Sequence, residues 1–498
     1  MSSHTKPAGE RTALLTEGPS SAEDASLRPQ GSAYAFFLDQ RHTPGSDSQR
    51  LPVRSAARFW HVTKVTLLSN YVNFLLITVP VGIVAGSMSW NPVAVFTINF
   101  LAIIPLAAVL SFATEEIANR LGEAMGGLLS ATFGNAVELI VSIVALKDGQ
   151  IQVVQSSMLG SILSNLLLVM GTCFLLGGIR NRGTSGDGSQ QEFTEAVAQT
   201  TCSLMTLASA SLVLPAALYS VMNKTGSGGK NMQEIILILS HGTAVLLLLL
   251  YVAYLIFQLR THSNLFDAEL QQRLKQQAAE RAGQGSNAQA QNGTRDDSQA
   301  QNGTRDNSQP RNTTANNAQV QNQPQEDAEP QMGPLAALTV LIVTTILVAI
   351  CADYLVKSID AVVEKENISK TFIGLILIPI VGNAAEHVTA VVMAVRNKMD
   401  LAMGVAIGSS IQIALGLTPF LVIVGWIMGQ PMSLHFETFA TVAFAISVLV
   451  ATYVIQDGKS NYLEGAMLIG LYIIIAVAFY VAPGDALHKV PPPPGVHM

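Results

Sequence analysis

The sequence predicts an all-α polytopic membrane protein of about eleven transmembrane helices, one leading helix followed by two inverted five-helix repeats. Three observations carry that prediction. Only 12% of the 498 residues are charged and 49% are hydrophobic, against roughly 25% charged in a soluble domain. The apolar residues gather into runs of about 20, the length a helix needs to cross roughly 30 Å of hydrocarbon. A motif centred on a glutamate also occurs twice, at one constant offset that holds through two consecutive helices.

Taken in order, the apolar runs place spans at 65–88, 92–112, 122–146, 153–178, 195–220 and 232–259, then at 334–356, 372–395, 401–428, 434–455 and 462–481. The polar tail 1–64 has no early apolar core of the kind a cleaved signal carries, so the first span is expected to serve as the targeting signal. With that tail in the cytosol, about 13 Lys and Arg fall on the cytosolic side and about 7 on the other, which favours this orientation. The C-terminal tail 483–498 is then lumenal or external.

The stretch 260–332 is rich in Gln, Asn and Ala and holds two near-identical decamers, QNGTRDDSQA from Gln291 and QNGTRDNSQP from Gln301. It can bury no core and is expected to be a disordered cytosolic linker between a first repeat, 92–259, and a second, 333–482. Its sequons at Asn292, Asn302 and Asn312 would then never meet the glycosylation machinery. Cys173, Cys202 and Cys351 lie far apart inside apolar runs, which points to neither a disulfide framework nor a thiolate metal site. No resident cofactor and no nucleic-acid partner is expected; the partner is the bilayer.

Gly134-Asn135-Ala136-Val137-Glu138 matches Gly382-Asn383-Ala384-Ala385-Glu386, and 386 minus 138 gives an offset of 248. The next helices keep that offset without a gap, since Gly160-Ser161 falls on Gly408-Ser409. Setting the first span aside leaves five spans per half. An odd number forces opposite orientations, and inverted repeats of this kind build secondary transporters whose site lies near the midplane.

An ionised carboxylate at the centre of a membrane helix costs about 2.5–3.5 kcal/mol on insertion scales, so Glu138 and Glu386 need a compensating partner. A cation or a proton supplies it. Gly134 and Gly382 allow close approach or local unwinding, Asn135 and Asn383 offer amide oxygens, and Ser161, Ser409 and Gln412 offer oxygens from the following helix. An all-oxygen set suits Ca2+ first and Mn2+ second, whereas Zn2+ would favour His or Cys. Two carboxylates around one site cannot both stay ionised comfortably without a cation, so protons are expected to compete with the metal. His387, beside Glu386, reads mainly as a packing or hydrogen-bonding residue and is a third candidate for the ion or proton path. Glu115 and Glu116 close the preceding helix in ATEEIAN, where they are candidates for the ion or proton path.

These segments, GNAVELIVSIVAL with MLGSILSN and GNAAEHVTAV with VAIGSSIQ, resemble the signature regions of the cation/proton exchanger family, in particular the fungal vacuolar Ca2+/H+ exchangers. The resemblance covers about 65–481. It implies the cation/Ca2+ exchanger fold, residence in the vacuolar membrane, and use of an acidic lumen to drive Ca2+, sometimes Mn2+, out of the cytosol. At matching positions it implies Glu138 and Glu386 as the ion-binding carboxylates, Ser409, Gln412 and motif backbone as the rest of the shell, and Glu115 as an acidic residue near the cytosolic mouth. Family members also carry a compact acidic helix between the repeats, whereas this linker is long and sparsely charged.

A Na+/Ca2+ exchanger of the same fold is the main alternative. A channel fits less well, because a sealed carboxylate site suits tight binding rather than rapid passage. An intramembrane metalloprotease would need H-E-x-x-H, which does not occur, so an enzyme is not expected.

Overall fold

The computed structural model describes residues 48–121, 123–181, 190–224, 230–262 and 331–481, together with Phe37, Thr43 and Pro44. The expectations for most of the N-terminal tail, for the decamers and sequons of the linker and for the C-terminal tail lie outside the described residues.

Two units divide the chain, 1–68 and 69–498. The first contributes α1, Leu51–Leu68. The second begins with a short 3-10 stretch, Tyr71–Ile77, started by Asn70, whose side chain accepts from the Val72 N–H at 3.1 Å. It continues as α2, Thr78–Ser87. The expected leading span 65–88 is therefore not one helix. An Asn-led helix start interrupts the apolar run, because the capped turn satisfies N–H groups that would otherwise be left open.

Then follow α3 (Pro92–Leu121), α4 (Glu123–Phe133), α5 (Ala136–Lys147), α6 (Ile151–Leu163), α7 (Met170–Arg180), α8 (Glu195–Lys224) and α9 (Lys230–Ile256). After the linker come α10 (Pro334–Glu366), α11 (Lys370–Phe372), α12 (Ile378–Gly382), α13 (Ala384–Val395), α14 (Met399–Ile411), α15 (Thr418–Met428), α16 (Thr438–Ile455) and α17 (Tyr462–Val481). A two-stranded antiparallel pair, β1 (Gln191–Glu192) with β2 (Lys459–Ser460), ties the loop before α8 to the turn before α17. Among the described residues, eight helical segments are long and apolar enough to cross a membrane, and up to eleven spans result if each of three bent pairs is one span.

The repeat is exact to the residue in local structure. Shifting α5, α6 and α7 by 248 gives the bounds of α13, α14 and α15, and the π-turn Ser164–Val169 that joins α6 to α7 lands on the π-turn Gln412–Leu417. The helix ends repeat as well. Gly149 (φ 73°) and Asn397 (φ 60°) take the left-handed conformation at equivalent places, followed by matching bonds from Gln150 N to Ala145 O and from Lys398 N to Met393 O, each 2.9 Å. Gly and Asn are the residues that tolerate this conformation, and the six-residue bond closes the helix.

α3 and α10 occupy equivalent places in the repeats and pack along one another. At 33 residues, α10 is about 50 Å long, well beyond a hydrocarbon core. It must tilt or project. With lipid as solvent there is little hydrophobic drive between helices, so close backbone approach at small residues holds the bundle.

Candidate ion-binding site

The spans expected at 122–146 and 372–395 are each broken at the motif. Asn135 (φ −98°, ψ 24°) and Asn383 (φ −92°, ψ 5°) leave the helical conformation at the same repeat position, and the two halves bend by 43° and 59°. The larger bend belongs to the repeat with Pro379 where the first has Ala131, since proline lacks the N–H and crowds the preceding turn. Glu138 and Glu386 thus become third residues of helices that begin inside the protein. There the unpaired N–H groups and the helix dipole favour negative charge.

The carboxylates cross over between repeats. A Cβ on Gly382 would sit 2.7 Å from Glu138 Oε1, and a Cβ on Gly134 would sit 3.5 Å from Glu386 Oε1. Each glutamate of one half therefore lies against the break glycine of the other. Glu138 is 3% exposed. Among the described residues, both Glu138 oxygens, Glu386 Oε2, Ser161 Oγ and Asn383 Nδ2 are buried without a hydrogen-bond partner. An unmade buried bond costs about 1–3 kcal/mol, more for a charged group. A cation or protons would remove that cost.

Asn135, Ser409 and Gln412 do come together, but they bond one another. Ser409 Oγ donates to Asn135 Oδ1 at 3.0 Å, and Asn135 Nδ2 donates to Gln412 Oε1 at 2.9 Å. Asn165 Nδ2, from the π-turn after α6, donates to Ser409 Oγ at 3.1 Å. The repeat does not mark Asn165, whose counterpart in the second half is Ile413. The available signal was its place one turn after Ser161, on the same face. No three of His, Cys, Asp and Glu gather into a metal cluster among the described residues.

A cavity of about 340 Å3 opens onto Glu386, lined by Ser111, Thr114 and Glu115 of α3, Ser130 and Gly134, and Gly404, Ser409 and Gln412. Ser111 Oγ donates to Glu115 Oε1 at 3.3 Å, so Glu115 faces the same space as Glu386. Glu138 lies instead in a narrow apolar cleft among Phe100, Ile103, Val141 and Leu355.

The opposite face is sealed. A Cβ on Gly160 would collide with the Leu375 carbonyl oxygen, and one on Gly374 with Ser156 Oγ. At Gly408 and Gly404, the positions equivalent to Gly160 and Ser156, a Cβ would meet nothing within 4 Å. Polar bonds complete the seal. Lys370 Nζ meets Asp360 Oδ1 at 2.5 Å and donates to Gln150 Oε1 at 3.0 Å. Gln152 Nε2 donates to Thr371 Oγ1, which donates to Glu437 Oε2, each at 2.9 Å. Gln155 Nε2 donates to the His435 carbonyl oxygen, also at 2.9 Å.

Two sequence candidates are placed elsewhere. Glu116 is buried and accepts from the backbone N–H groups of Gln331 (3.2 Å) and Met332 (3.1 Å), while Arg120 of the same helix bonds the Met332 carbonyl oxygen. α3 runs on past Phe112, so its last turns carry consecutive residues to different sides, and only Glu115 turns to the cavity. His387 Nε2 lies 3.2 Å from Ser164 Oγ and does not line the cavity.

A family model described as sodium/calcium exchanger protein matches residues 91–260 and 336–481. The chain is 44% identical over 424 residues to a vacuolar calcium ion transporter of Schizosaccharomyces pombe, covering 85% of this chain and 87% of that one. It is 40% identical over 411 residues to a Ca(2+)/H(+) antiporter of Aphanothece halophytica, covering 82% and 96%. Among solved structures, the Ca2+/H+ antiporter protein YfkE aligns with a TM-score of 0.59 at 31% identity, covering 82% of this chain and 98% of that one.

Proposed function

The chain belongs to the sodium/calcium exchanger protein family, and within it we propose a secondary active antiporter that moves Ca2+ in exchange for protons across the vacuolar membrane. The observation that carries this reading is the crossed pair, Glu138 on Gly382 and Glu386 beside Gly134, with three of the four carboxylate oxygens unpartnered among the described residues. One Ca2+ or about two protons can neutralise the same two carboxylates, so the two cargoes exclude each other and their fluxes are coupled. Ser161, Asn383 and backbone at the helix breaks are the supporting oxygens. Asn135, Ser409 and Gln412 can join once their mutual bonds rearrange. Mn2+ meets the same donor set.

The cavity opens between helix ends whose adjoining residues include Arg120, Arg260 and Arg396, the side with the Lys and Arg excess. That side is taken as cytosolic, with Glu115 at the mouth and the C-terminus lumenal. Ca2+ reaches Glu386 from the cytosol, the open face closes, the Gln152–Thr371–Glu437 face opens, and lumenal protons displace the ion.

The test is uptake into acid-loaded vesicles containing the purified full chain. Proton-driven Ca2+ uptake is expected, with loss in both Glu138→Gln and Glu386→Gln. Full uptake in either variant would sink the shared-site reading. Uptake that needs a Na+ gradient and ignores pH would support the sodium-coupled alternative, and a parallel arm with Mn2+ reads cargo range.

A further inference from the structure

We propose that α1 lies on the membrane surface and binds anionic lipid headgroups, in the leaflet where the chain first enters the hydrocarbon. Between Leu51 and Leu68 there is no acidic residue, while Arg54 and Arg58 are basic, Lys64 is basic but buried, and Arg50 immediately precedes the helix. Arg50, Arg54 and Arg58 recur every four residues, so they form one stripe. At 3.6 residues per turn, Val53, Ala56, Phe59, Thr63 and Leu67 follow the far side. That side is unusually exposed for its chemistry, with Phe59 75% and Val53 44% accessible. Trp60 borders it, and Phe37 stands edge-on to Trp60 at 6.0 Å.

Charge decides the occupant. A helix with basic residues through its length does not cross hydrocarbon, and an exposed Phe beside a row of arginines does not rest in water. A headgroup layer satisfies both faces, because phosphates and carboxylates meet the arginines while the aromatic side dips to the acyl boundary. Chain connectivity supplies the bilayer. Ser69 and Asn70 end α1, and the very next stretch, Tyr71–Ser87, is apolar and starts the membrane-embedded unit. Nothing in this depends on which ion is carried.

Trp60, Trp90 and Trp426 are the tryptophans of the chain. The full protein with Trp90→Phe and Trp426→Phe reports on α1 alone through Trp60. It is reconstituted into phosphatidylcholine bilayers with and without phosphatidylserine, each containing lipid brominated near the headgroup. Quenching of Trp60 is expected to be about two-fold stronger with the anionic lipid, and raised salt should erase that difference without any change of sequence. Adding Arg54→Gln and Arg58→Gln should erase it too, at about five-fold in attachment per arginine. Absence of quenching in both bilayers, as would follow if another protein segment covered this face, overturns the proposal. Equal quenching in both overturns it as well, since the arginines would then not be reading headgroup charge.

Discussion

Glu138 of the first repeat rests on the α-carbon of Gly382 in the second, so closely that a Cβ there would stand 2.7 Å from Oε1 and 3.1 Å from Cδ. The glycine of one motif is thus the floor under the glutamate of the other. Gly382→Ala should displace the carboxylate while leaving its charge in place. Overpacking of this size costs about 1–3 kcal/mol, expected as a loss of roughly ten-fold or more in Ca2+ affinity with expression retained. Wild-type affinity in this variant would mean that the contact does not shape the site.

Gly160 and Gly408 are equivalent in sequence and opposite in surroundings, one pressed on the Leu375 carbonyl oxygen and one in open space. Gly160→Ala is expected to lower thermal stability by about 1–3 kcal/mol. Gly408→Ala should leave stability within about 0.5 kcal/mol. If the open face closes during turnover as its counterpart has, Gly408→Leu will slow transport strongly at unchanged melting temperature. Normal turnover in that variant would argue against symmetric closure.

Asn165 holds Ser409, and through it Asn135 and Gln412. Asn165→Leu keeps similar bulk and removes the donor, leaving buried polar atoms at about 1–3 kcal/mol. Vesicle assays should show weaker Ca2+ binding with the maximal rate less affected. A rate defect alone would place Asn165 in the moving parts instead.

Glu116 anchors the start of the second repeat rather than the ion path, through its bonds to the Gln331 and Met332 N–H groups. Glu116→Gln is therefore expected to cost stability, about 1–3 kcal/mol for a charged hydrogen bond, with the Ca2+ dependence of uptake unchanged. A shifted Ca2+ dependence would return Glu116 to the path.

His435, on the sealed face between α15 and α16, packs at a tilt against Tyr219 at a centroid distance of 4.2 Å, and burial holds its imidazole below the usual histidine range. The neutral form is favoured in the fold. Its contribution to stability is complete above the unfolded value, about 6.5, and is lost as pH falls through the lower folded value. Thermal melts should weaken on acidification, and His435→Phe should flatten that acid limb. An identical limb in the variant would assign it to other groups.

Much of this molecule could be read without coordinates. Hydrophobic run length places the spans, because lipid demands it of any helix. The 248-residue offset finds the two motifs, since a duplicated site leaves its spacing in the chain. It also carries α5, α6 and α7 onto α13, α14 and α15, as far as the local structure repeats. The asymmetry was not legible. Identical motif residues sit in a closed contact at Gly160 and an open one at Gly408, because which face is sealed depends on how the repeats lean on each other and not on either repeat's own sequence. The same reason hid Asn165, whose partner lies 244 residues away. It also hid the split between neighbours Glu115 and Glu116, which only the phase of the extended α3 resolves. The paired glutamates and their repeat belong to the sequence. That each rests on the other's glycine was decided by tertiary structure, since only packing of the two halves can bring 138 to 382.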